Sequence, residues 1–180
     1  MPAPPVFSIG HSTHPLEAFV RLLQMHAIEW VVDVRRLPGS RRFPQYDGPA
    51  LAASLEPLGI GYIHLPALGG RRGRSLPAGT SPNGFWRNAS FRRYADYAMG
   101  EDFHGGLVQL LELSSRRCAL MCAEVLWWRC HRRIITDYLL ADGRTVCHID
   151  GNGRAEPASM TPTARRDSDH LIYPPPPGAG

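Results

Sequence analysis

Lysine is absent from this chain: all 20 basic residues are arginine, set against 16 acidic ones for a formal charge of +4. Arginine presents a planar fork that matches phosphate and carboxylate, so a polyanionic partner is compatible with the composition. A GC-rich genome would make the same exchange everywhere, and only arginines gathered at one place carry weight. Long apolar runs are also missing. No window approaches the roughly 18 apolar residues of a membrane span, and residues 1–5 lack the basic-then-apolar order of an export signal. A cytoplasmic protein without membrane segments is expected. The four cysteines, Cys118, Cys122, Cys130 and Cys147, lack the paired CxxC spacing of a zinc ribbon and are expected as reduced thiols.

What the chain does have is enough apolar sequence, 43% of 180 residues, to bury one core without disulfides or a structural metal. Apolar runs at residues 6–9, 29–34, 61–65, 118–122 and 145–149 read as strands. Between them, helical spacing covers residues 15–25, with Thr13 as cap, 49–58, 91–99, with Ser90 as cap, 103–113 and 130–140. Strands alternating with helices predict a single α/β domain: a mostly parallel central sheet of about five strands flanked by helices. The domain is expected to span residues 1–160. An extension from 161 to 180 follows, with a short segment at 170–173 and disorder from about 174.

In open parallel sheets, ligands bind beyond the carboxyl ends of the strands, where loops converge and helix N-termini point inward. Here those ends collect polar residues. His11, Ser12 and Thr13 follow the first strand; Asp33, Arg35 and Arg36 the second; His64, Gly69 and Gly70 the third; Glu124, Cys130 and His131 the fourth; His148 and Asp150 the fifth.

The runs Ile9-Gly10-His11-Ser12-Thr13, Val32-Asp33-Val34-Arg35-Arg36, Leu68-Gly69-Gly70, Arg87-Asn88-Ala89-Ser90-Phe91, Cys122-Ala123-Glu124 and Cys130-His131-Arg132 occur in this order. Together they resemble the family DUF488, over about residues 6–150. The resemblance implies membership and an α/β domain; it brings no established reaction, substrate or cofactor.

Four residues are candidates for chemistry. Cys130 is expected in the first turn of its helix, where unpaired N–H groups and the dipole favour a thiolate, as nucleophile or metal ligand. Its alternative is core packing, with His131 and Arg132 capping carbonyls. Glu124 follows an apolar strand and should pair with Arg35 or Arg132, or accept a proton. Asp33 has the same choice with Arg35 or His11. His11, placed after a glycine, is expected to be exposed enough for acid–base work, or else to be a satisfied structural histidine.

Ser12, Arg35, Arg41, His64, Gly69, Gly70, Arg71, His131 and Arg132 are the expected substrate-binding set. Gly69 to Arg74 could wrap a phosphate, although it matches no P-loop. Trp127-Trp128 could stack bases or pack the helix entry.

Two classes of function fit. The first is an enzyme acting on a phosphorylated, nucleotide-like or nucleic-acid substrate, by N-glycosidic cleavage on carboxylates or by thiol chemistry at Cys130. The second is a noncatalytic module for nucleic acid or protein. Between them lies a metal protein with zinc or iron on His11, His64, Cys130 and His131.

Overall fold

The computed structural model describes residues 1–178. Its elements are β1 (Val6–Gly10), α1 (Leu16–Met25), β2 (Trp30–Asp33), α2 (Gly48–Leu55), β3 (Gly61–His64), α3 (Ala89–Ala98), α4 (Glu101–Leu113), β4 (Cys118–Cys122), α5 (Arg132–Ala141), β5 (Val146–Ile149), β6 (Ala155–Pro157), β7 (Arg165–Asp167) and β8 (His170–Ile172). Six strands form one sheet in the order β3-β2-β4-β1-β5-β6; β7 and β8 pair separately. β1 to β5 are parallel, as the alternation of strands and helices predicts, and β6 adds an antiparallel edge that three residues of Ala-Glu-Pro do not announce. Among the described residues, no helix is long and apolar enough to cross a membrane.

Strand alternation divides the core into two layers. Ala119 and Met121 of β4, with Phe7, Ile9 and Val31, face Phe19, Leu22 and Leu23 of α1 and Leu51 and Leu55 of α2. Cys118 and Leu120, with Val6 and Val32, face Tyr94, Phe103, Leu110, Ile134 and Leu139 of α3, α4 and α5. β4 therefore lies between two strands, β1 and β2, whose chains leave toward one face, while its own chain leaves toward the other. This reversal opens the crevice in which doubly wound sheets bind ligands.

Local capping differs from the sequence expectation at three helices. Thr13 does not cap α1, which starts after Pro15 without a side-chain cap. Asn88, not Ser90, caps α3, its Oδ1 accepting from the backbone N–H groups of Ser90 and Phe91 at 2.8 and 3.3 Å. Cys130 precedes α5 rather than lying in its first turn: it ends a 3-10 turn over Trp127–Arg129 in extended conformation, and His131 is the N-cap position. The helix dipole is thus one residue removed from the sulfur.

The chain after β6 is docked on the helical layer. Leu171, Ile172 and Tyr173 are buried. The Tyr173 hydroxyl donates to Asp137 Oδ2 at 3.0 Å, the Thr161 amide donates to Asp137 Oδ1 at 2.9 Å, and the Tyr173 amide donates to Asn83 Oδ1 at 2.9 Å. Of the tail expected to be disordered from about 174, residues 174–178 have no regular strand or helix, and residues 179 and 180 lie outside the described residues.

Candidate active site

The crevice floor is set by close backbone approach. The amides of His11 and Ser12 donate to the carbonyls of Cys122 and Ala123 at 2.8 and 3.0 Å, extending the β1–β4 ladder past the sheet. Gly10 makes this possible. A Cβ there would overlap the Glu124 carbonyl and lie 2.6 Å from the Val125 Cα, nearer than side chains approach backbone, so only glycine lets the two exits touch.

Asp33, at the end of β2, is fully buried and saturated. Its Oδ1 accepts from the Arg35 amide at 3.0 Å and from Arg35 Nε at 2.9 Å; its Oδ2 accepts from Arg35 Nη2 at 2.7 Å and from the Tyr62 hydroxyl at 2.6 Å. A carboxylate has about four lone-pair positions, and all are taken. Arg35 is equally committed, since its Nη2 also donates to the Tyr46 carbonyl at 2.8 Å. This pair therefore fixes the β2 exit loop, and the pairing of Asp33 with Arg35 anticipated from the sequence is present. His64 braces the same loop, its Nε2 donating to the Arg35 carbonyl at 2.6 Å.

His11 is buried, 3% exposed, contrary to the exposure expected after a glycine. Its ring stacks on Tyr46 at 4.1 Å, and its Nδ1 donates to the Ser12 carbonyl at 2.8 Å, leaving Nε2 unprotonated and without a partner. Burial pushes its pKa down to about 4, with the Arg35 charge adding to the effect. Ser12 beside it has a left-handed φ of 47°.

Glu124 is exposed and does not form the expected ion pair. Its carboxylate accepts from the Leu126 amide at 2.9 Å, and Arg132 reaches its backbone carbonyl instead of its side chain.

The thiol cluster lies where β4 ends and α5 begins. Donor atoms of Cys122, Cys130 and His131 all lie within 4.8 Å of one another. His131 Nε2 donates to the Val34 carbonyl at 2.7 Å, which leaves Nδ1, 3.5 Å from Cys130 Sγ, facing the sulfur. Arg132 is 1% exposed; its Nε donates to Cys130 Sγ at 3.3 Å and its Nη1 to the Ser8 hydroxyl at 2.8 Å. A guanidinium does not give up its proton, and among the described residues no carboxylate pairs with this one. Cys130 Sγ is the group placed to supply the counter-charge it needs. The neighbouring Cys122 side chain is the largest influence holding the Cys130 pKa well below its ordinary value, and His131 and Arg132 act in the same direction against burial. Cys122 correspondingly keeps its proton, its pKa raised by the same contact and by burial. Burial pushes Cys118 up to about 11.

The same donor set is the group that could hold a metal, and it is not the set the sequence suggested. His11 and His64 are turned to Tyr46 and the Arg35 carbonyl, and Cys122 takes their place.

The glycine-rich loop begins in the core. Leu68, Gly69 and Gly70 are buried, with a Gly69 Cβ position 2.5 Å from Arg36 Cα and a Gly70 Cβ position 2.9 Å from His131 Nδ1. Arg72 is used within the loop, donating to the Gly69 carbonyl at 3.0 Å and lying over the Tyr97 ring at 4.0 Å. Arg36 Nη1 donates to the Arg71 carbonyl at 2.6 Å and ties this loop to the β2 exit. Arg41 and Arg71 present exposed side chains on the loops after β2 and β3.

His148, absent from the expected substrate set, is buried near the cluster with both ring nitrogens unpartnered and its ring stacked on Trp127 at 4.3 Å. Burial, reinforced by the Arg132 charge, pushes its pKa down to about 4. Its place near the carboxyl end of β5 was the available signal. Cys122 carried none, since an apolar strand ending in cysteine looks like core.

Neither a curated protein nor a solved structure matches the chain. A family model, described as a domain of unknown function, matches residues 15–139, a span that holds Asp33, Cys122 and Cys130 to Arg132, starts after His11 and ends before His148. That match covers well over half of the sequence, and the chain belongs to the DUF488 family.

Proposed function

We propose that this protein is an enzyme whose nucleophile is the Cys130 thiolate, acting on an anionic substrate, phosphorylated or nucleotide-like, bound in the crevice around the end of β4. The observation that carries this reading is the fully buried Arg132 guanidinium with a sulfur and, among the described residues, no carboxylate as its partner. Holding a thiolate in place against the desolvation of two charged groups is costly, and such arrangements concentrate at sites where the sulfur reacts. His131, oriented through the Val34 carbonyl, supplies a proton donor and acceptor at Nδ1, the relation of nucleophile, base and orienting group found in thiol and hydroxyl enzymes.

The carboxylate route is less well supported. Asp33 has no free acceptor position, and Glu124 lies exposed. Anion binding rests on Arg41 and Arg71, because Arg35, Arg72 and Arg132 are engaged by the protein itself.

Alkylation of the native, reduced protein by iodoacetamide, followed by peptide mass mapping over pH 5–9, tests the assignment. Cys130 is expected to react first and to stay reactive below the ordinary thiol pKa of about 8.5, ahead of Cys118 and Cys147. Unreactive Cys130 until denaturation, with Cys130→Ser lowering stability only, would make the sulfur a packing group and remove the proposal.

A further inference from the structure

A nucleophilic thiolate needs one sulfur, yet this site holds two. Cys122 ends β4 half-buried, its Sγ within 4.8 Å of Cys130 Sγ, while Cys118 and Cys147 lie within strands β4 and β5. Cys130 sits in an irregular stretch between a 3-10 turn and α5, so the movement that closes the two sulfurs to bonding distance would fall on this connection and not on the sheet. Arg132 Nε and His131 Nδ1 lie against Cys130 Sγ at 3.3 and 3.5 Å, so the polar contacts that favour attack gather on Cys130 and leave the resolving role to Cys122.

We propose that Cys122 and Cys130 form a two-thiol redox centre that reduces small hydroperoxides, with Cys130 attacking and Cys122 resolving. This rests on the reading of Cys130 as a nucleophile and adds a second activity at the same site. The Cys130 thiolate attacks one peroxide oxygen; the S–O bond forms as O–O breaks, and the departing oxygen takes a proton to leave as water or alcohol. Cys122 then loses its proton and attacks Cys130 Sγ; S–S forms, S–O breaks and water leaves. In total, two thiols and one hydroperoxide give one disulfide, one alcohol or water, and one further water. The two electrons come from the sulfurs, and an external dithiol returns them. Burial of Cys130, 4% exposed, restricts the oxidant to the smallest members of the class, hydrogen peroxide first.

The test uses the whole reduced chain, hydrogen peroxide at one equivalent, and mass mapping under non-reducing conditions. The expected result is a Cys122–Cys130 disulfide, loss of both thiols together, and full recovery with dithiothreitol. In Cys122→Ser the disulfide is lost and Cys130 proceeds to sulfinic acid under excess peroxide. Sulfinic acid at Cys130 with Cys122 free in the unmodified chain would overturn the proposal, and so would zinc bound at one per chain that shields both thiols. Iodoacetamide separates the two readings. If Cys130 alkylates but no disulfide forms, the redox centre fails and the nucleophile stands; if Cys130 does not alkylate, the nucleophile fails as well.

Discussion

At the scale of single residues, the crevice contains two buried arginines with different partners, and the difference is testable. Arg35 has a bidentate carboxylate, Arg132 a sulfur. Asp33→Asn leaves Arg35 buried without its counter-charge and is expected to cost about 3–5 kcal/mol, measured by urea denaturation. Tyr62→Phe removes one hydrogen bond to Asp33 and should cost about 1–2 kcal/mol. The Asp33–Arg35 pair was legible in the sequence because two opposite charges two residues apart at a strand end have few other partners. The thiol cluster was only half legible. Cys130-His131-Arg132 is contiguous, but Cys122 joins it across a loop of seven residues whose path no local pattern dictates. The exposure expected of His11 failed because the Tyr46 ring, from a segment more than thirty residues away, covers it.

At the scale of elements, the five parallel strands and five helices were readable because long apolar runs of period two or 3.6 dominate them. The strands missed, β6 and β7, have three residues each, and most of their side chains are polar or exposed, whereas β8 falls on the short segment expected at 170–173. Helix starts were displaced by a residue or two because serine, threonine and asparagine compete for the cap, and tertiary packing chooses. Asn88→Ala is expected to cost about 1 kcal/mol in thermal or chemical unfolding, with Ser90→Ala near neutral. Gly10→Ala acts on the contact between strand exits and is expected to cost about 3 kcal/mol, with crevice chemistry lost even where the fold survives.

At the scale of the whole molecule, two histidines make stability fall with acid. His11 and His148 are held neutral down to about pH 4, whereas in the unfolded chain they take up protons near pH 6.5. Unfolding therefore binds protons between those values, so stability is unaffected above pH 6.5 and declines as pH falls toward 4, by about 2 kcal/mol per histidine. His148→Phe should keep the stack on Trp127 and flatten its share of the decline, as read from unfolding curves at pH 7 and pH 4.5. Chain ends differ in importance: removing residues 175–180 should change stability little, while removing 164–180 takes away Leu171, Ile172 and Tyr173 and should cost on the order of 5 kcal/mol or more, seen as loss of cooperative unfolding. The face-to-face contact of Trp127 with His148 also gives the protein an optical signal of its own. An imidazolium against an indole quenches emission, so Trp127 should stay bright while His148 is neutral and dim as that ring takes up its proton near pH 4, an intrinsic readout of the buried histidine without any added dye.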